Sequence, residues 1–160
     1  MEKEKQSSVF LKSLFAGFVG AILFGIVGSV AYYLSFTDVS HASFFIRSFF
    51  DGDWTTGWIS ELISVIILGL IGIVPALIYY LLFKKLRGMY PGLLYGVALW
   101  FIVFAFLNPL FSYVPDFFSL DLDTIATTMS QFILYGVFIG YTISYEHHDQ
   151  RVMRKVSQNG

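Results

Sequence analysis

The sequence predicts an all-α protein: a polytopic membrane protein forming a four-transmembrane-helix bundle, with both termini cytoplasmic, over a single domain 1–160. Three observations predict it. First, four apolar stretches, 14–36, 58–83, 90–113 and 125–145, punctuate the chain. Each reaches the ~20 residues a helix needs to cross a hydrocarbon core of ~30 Å. Second, charged residues make up 13% of the chain, against ~25% in a soluble domain, a deficit that a lipid-facing surface produces. Third, the loops between the stretches sort their basic residues to one side.

The first stretch follows Lys3, Lys5 and Lys12 and so has the start of a secretory signal. The apolar part of such a signal is about 7–15 residues long. This run is longer, carries glycines at helical spacing and offers no convincing cleavage site, so it is expected to be an uncleaved first span. Residues 1–12 ahead of it are polar and expected to fray.

The loop after it, 37–57, is rich in Phe44, Phe45, Ile46, Phe49, Phe50 and Trp54. Phe45 and Phe49 share a helical face, as do Ile46 and Phe50. A short interfacial helix lying in the outer headgroup layer is therefore expected, with the aromatic side chains as interface anchors. A lid over a cavity is the alternative.

Spans 2 and 3 are joined by Lys84-Lys85-Leu86-Arg87-Gly88-Met89, short enough to make them antiparallel neighbours. Gly88 suits the end of one helix and Pro91 the first turn of the next. Pro75 and Pro109 lie within these spans. Each removes a backbone donor and disturbs the carbonyl four residues earlier, at Ile71 and Ala105, which predicts kinks. Asn108-Pro109 also suits a helix end. The third loop, 114–124, is again short.

Small residues recur every four positions in the spans: Gly17, Ala21 and Gly25 in the first, Gly72 and Ala76 in the second, Gly92 and Gly96 in the third, Gly136 and Gly140 in the fourth. Such stripes let helix backbones touch, a main route of helix association in lipid. They are expected to hold the bundle together, although they also suit a homo-oligomer. Gly17 and Ala21 match Gly92 and Gly96 in position, which hints that the two halves are parallel repeats.

With four crossings, the N-terminal tail, second loop and C-terminal tail share one side. Every Lys and Arg except Arg47 falls there, so that side is expected to be cytoplasmic. The other side carries Asp38, Asp51, Asp53, Glu61, Asp116, Asp121 and Asp123.

Functional signals are few. Glu61 lies about one turn inside the outer end of span 2, and carboxylates within spans are often functional. Burial there favours the neutral carboxyl, a hydrogen-bond donor. Asn108 and Gln131 sit at similar depths in spans 3 and 4. The three could line a polar vestibule, with Ser60, Ser64, Thr127 and Thr128 contributing, or they could serve as interhelical hydrogen-bonding groups.

No catalytic residue, metal site or cofactor is expected. Without cysteine there is no disulfide and no thiolate. The pattern Asp51-Gly52-Asp53 opens like a calcium loop, but the glycine falls at the seventh position and Glu61 at the eleventh, where an EF-hand needs the sixth and twelfth. His147 and His148 are adjacent, not the i, i+4 pair of a helical zinc motif, and are expected to be solvated juxtamembrane residues. Expected partners are the lipid bilayer and a membrane protein partner or a second copy of the chain. Nucleic acid is not among them.

In its four-span layout, the Phe36-Thr37-Asp38-Val39-Ser40 segment, Gly52-Asp53-Trp54 and the short basic second loop, the chain resembles the YqhR-like family of small membrane proteins from Bacillus-type bacteria. The resemblance implies a bacterial plasma-membrane location. It implies no activity, since none is assigned to the family. The leading expectation is a non-enzymatic accessory or interaction protein of the bacterial plasma membrane. The alternative is a small transporter or channel component built on the polar vestibule.

The orientation is directly testable. Green fluorescent protein fused to the C terminus should fluoresce, and alkaline phosphatase fused there should be inactive. The opposite pair of results would invert the topology.

Overall fold

The structure, a computed structural model, describes residues 2–50, 52–86 and 88–159, with side chains described for 9–50, 52–86, 88–149 and 152–153. Among these residues every regular element is helical: α1 (Glu2–Tyr33), α2 (His41–Phe45), α3 (Trp58–Phe83), α4 (Tyr90–Phe101) and α5 (Leu122–Asn159), with short 3-10 turns between them. Four segments are long and apolar enough to cross a membrane: Val9–Tyr33, Trp58–Phe83, Tyr90–Leu110 and Leu122–Asp149.

Local chemistry sets where the helices stop. α1 ends with Ser35 at φ 61. The Ser35 N–H donates to Tyr32 O (3.0 Å) and the Phe36 N–H to Ala31 O (2.9 Å). This left-handed helix stop usually uses glycine. Gly88, at φ 95, turns the chain between α3 and α4, and Pro91 falls in the first turn of α4. At the start of α5 the Thr124 N–H donates to the Asp121 carboxylate at 3.3 and 3.4 Å. Hydrogen bonding to Thr124 holds this exposed carboxyl below its usual range.

The two in-span prolines behave differently. α3 runs continuously through Pro75. Pro109 instead sits in a 3-10 turn, Asn108–Leu110, that ends the third span. The six residues before it, Ile102–Leu107, are wound as a π-helix. That widening is a recognised way for a helix to absorb a lost ladder bond.

Backbone proximity decides the packing. A Cβ placed on Gly17 would lie 2.6 Å from Ala76 Cβ and 2.8 Å from Gly72 O. One on Gly92 would lie 2.6 Å from Gly136 O, and one on Gly140 2.8 Å from Gly92 Cα. α1 therefore packs closely on α3, and α4 on α5. The same small-residue interface is made twice, with Gly72 and Ala76 corresponding to Gly136 and Gly140. α1 also packs along α5, where Gly20 receives the Phe138 ring.

The expectation that α3 and α4 are antiparallel neighbours holds near their connection but not along their length. Their short connection brings two ends together, but both glycine faces are already used on α1 and α5. Near the connection Tyr95 bridges them: its hydroxyl donates to Pro75 O (2.7 Å), and its ring meets those of Tyr79 and Phe83. Further along, towards the first and third loops, the two helices stay apart.

The expectation of a frayed N-terminal segment is revised. The backbone of residues 2–12 is helical, continuous with the first span. α5 likewise continues through Glu146, His147, His148 and Asp149 as far as Asn159. Lys12 Nζ meets Glu146 Oε1 at 2.7 Å, tying α1 to α5 near the termini. An exposed pair of this kind contributes about 0–1 kcal/mol.

Gly136→Leu should separate α4 from α5, because its Cβ would fall 2.6 Å from Gly96 N. Thermal melting in detergent should show a loss of at least ~1–3 kcal/mol, the usual cost of overpacking. Leu134→Ala, on the exposed face of α5, should stay within ~0.5 kcal/mol of the parent.

Candidate functional site

The first loop folds back onto the bundle. Ser40 caps α2 by accepting from the Ser43 N–H at 3.2 Å. Val39, Ser40, Ala42, Ser43 and Ile46 are all buried. The loop's expected helix is therefore only five residues long, and it packs inward on protein. Phe44 lies edge-on to Phe104 and Phe111. The start of the loop is tied to α5. The Asp38 N–H donates to Thr124 Oγ1 (3.0 Å), and the Thr127 hydroxyl to Phe36 O (2.9 Å). Arg47 Nε donates to Thr55 O (3.1 Å), and its guanidinium lies over Tyr32.

Glu61 is the clamp. It is 4% exposed, one turn into α3. Its Oε1 accepts from the Ser29 hydroxyl (2.8 Å) and from the His41 N–H (3.1 Å), and lies 3.2 Å from His41 Nδ1. Its Oε2 accepts from the Ala42 N–H (3.1 Å). A backbone N–H can only donate, so both oxygens act as acceptors. The expected hydrogen-bond donor is thus the reverse of what the fold uses. One carboxyl joins α1, α2 and α3 and supplies partners for backbone groups at the start of α2 that would otherwise be buried unpaired.

The structure brings together two of the three vestibule candidates. Gln131 on α5 lies across Gly28 from His41: a Cβ on Gly28 would meet Gln131 Oε1 at 2.6 Å and His41 Nε2 at 3.1 Å. His41 in turn reaches Glu61. Asn108 is elsewhere. Its Nδ2 donates to Pro115 O (2.7 Å), and it lines a separate open recess with Asp116, Phe117 and Phe118.

The hydroxyl candidates serve helix packing. Ser60 donates to Thr55 O and Gly57 O, and Ser64 to Ser60 O. Thr128 donates to Thr124 O and accepts from Trp100 Nε1. Asp51 and Arg87 lie outside the described residues, as do the side chains of Lys3, Lys5, Arg151, Arg154 and Lys155. Among the described residues no group of three His, Cys, Asp or Glu side chains converges.

Beneath the loop, where α3 and α4 part, lies a cavity of about 360 Å³. Its walls come from all four long helices: Ala21 and Gly25 of α1, Ile71 and Pro75 of α3, Leu99 of α4 and Phe132 of α5. His41, Phe44 and Phe45 form its roof. Tyr135, which donates to Gly72 O, and the Tyr95–Pro75 bridge close it towards the termini. The lining is overwhelmingly apolar, with His41 and Gln131 at one edge.

Sequence reasoning gave no role at the site to His41 or Ser29, and raised a cavity only as the alternative of a lid over one. The position of His41 directly after Ser40, a residue type suited to capping a helix, is a usable signal for it. The cavity has no local sequence signal, because it arises from how two helix pairs fail to meet.

The fold and site define a multi-pass, four-helix membrane protein with an apolar intramembrane cavity under a carboxylate-clamped loop. A family profile described as "Conserved membrane protein YqhR" matches residues 1–158. The "Uncharacterized protein YqhR" of Bacillus subtilis (strain 168) is 40% identical over 133 residues, covering 83% of this chain and 74% of that protein. The chain belongs to the YqhR family of conserved membrane proteins. No solved structure matches it.

Glu61→Gln would turn an amide N–H₂ towards a backbone N–H that can only donate, that of Ala42 or of His41, whichever way the amide lies. Hydrogen–deuterium exchange should speed up at His41 and Ala42, and the melt should fall by ~1–3 kcal/mol, the cost of a buried polar group left unpaired. Unchanged exchange at both amides would mean that Glu61 does not hold the loop.

Proposed function

We infer that the chain is a non-enzymatic protein of the bacterial plasma membrane that works by associating with another component of the membrane, with both termini in the cytoplasm. The observation that carries this is the cavity of about 360 Å³ inside the bundle. Lining side chains that face an empty apolar space lack packing partners on that side. An apolar occupant would supply those contacts.

The chemistry of Glu61 supports the same reading. Its oxygens are engaged by Ser29, His41 and Ala42, which leaves the carboxylate occupied in holding the loop. A conducting polar vestibule draws less support, because Asn108 faces a different recess from Gln131.

The test is capture of the tagged protein from native membranes in mild detergent, followed by identification of co-purifying proteins and lipids. A stoichiometric companion is expected. A protein that comes out clean, yet moves solute in liposomes in a Glu61-dependent way, would overturn this reading in favour of a transporter.

A further inference from the structure

The cavity has a direction. Ile71 of α3 and Leu107 of α4 both line it, yet are 45% and 39% exposed. A residue that faces both the interior and the surface marks a mouth, and these two flank the gap between α3 and α4. Apolar side chains surround that gap, as Val74 and Ile102 are also exposed. The mouth therefore opens sideways, between side chains that would face hydrocarbon.

The opposite edge is polar. The Gln131 side chain lines the cavity and makes no hydrogen bond to any other described group. His41 beside it is held by Glu61. An unpaired amide in an apolar space is costly, and it asks for a polar group from whatever enters. That group must be uncharged on two grounds. An anion would face the Glu61 carboxylate across the His41 ring, and a cation would be buried in an otherwise apolar pocket.

The rest of the space suits a hydrocarbon chain. At about the volume of liquid water per methylene, ~30 Å³, it holds roughly a dozen chain carbons. The π-wound segment Ile102–Leu107 supplies Val103, Phe104 and Leu107 to this wall. Such segments are frequent at functional sites.

We propose that the cavity binds one uncharged, single-chain amphiphile, its polar end hydrogen-bonded to Gln131 and its chain leaving between α3 and α4 into the bilayer. This rests on the association reading above and names the class of occupant.

Native mass spectrometry of the delipidated full chain, given monoolein, oleate or phosphatidylglycerol at equal concentration, tests it. One monoolein should be retained in preference to the other two. Val103→Phe and Leu99→Phe, which fill the cavity from two places, should each cut its retention at least tenfold. Whichever of them melts like the parent is the informative variant. Gln131→Leu should erase the preference for monoolein.

Retention of oleate or phosphatidylglycerol instead, lost in the filled variants, would overturn the uncharged-head assignment and leave the association reading standing. Retention of monoolein that the filled variants do not alter would place it on the outer surface, and would overturn both the proposal and the cavity as the working part.

Discussion

Hydrocarbon supplies no hydrophobic force to press one membrane helix against another, so close backbone contact has to do that work. In this chain the contact is made twice, by Gly17 against Gly72 and Ala76, and by Gly92 against Gly136 and Gly140. Everything else in the architecture follows from it. Once each glycine face is used within its own hairpin, α3 and α4 have none left for each other. Long aromatic side chains then bridge them near the turn, and the cavity opens where those side chains end.

The first loop solves a second problem created by the first. A gap at the end of the bundle away from the termini would expose the ends of α1 and α3. The loop covers it with Val39, Ala42 and Ile46. Folding backbone inward carries unpaired N–H groups with it, and Glu61 meets them. A carboxylate is the suitable residue because it accepts from several directions at once, which a serine or an amide could not match. The high cost of burying a charge is offset here by Ser29, His41 and Ala42 all donating to the same group.

Much of this was legible in the sequence, and the boundary is physical. Hydropathy fixes the spans because insertion depends on composition. The 58–83 stretch coincides with α3, and Gly88 with Pro91 marks the turn that follows. The small-residue stripes announce close packing, but not which stripe meets which. For that reason the short 84–89 connection showed that α3 and α4 are neighbours at the turn, where Tyr95 meets Pro75, but not that they part beyond it. Glu61 was visible as an outlier of depth. Its role was not, since its partners lie 32 residues away at Ser29 and 20 residues away at His41. Asn108 and Gln131 matched in depth, yet depth does not fix rotation about a helix axis, and they face different recesses.

The chain can be pictured as a half-closed book. α1 and α5 form the spine, each hairpin is a cover, and α3 and α4 are the free edges. The 84–89 turn ties those edges together at one end, so they can part only at the other, beneath the clamped loop. Every change in the angle between the covers is a change in cavity volume. Ile71, Val74, Ile102 and Leu107 are all exposed along those free edges, so a bundle set in lipid would meet hydrocarbon there and nowhere closer to its interior space.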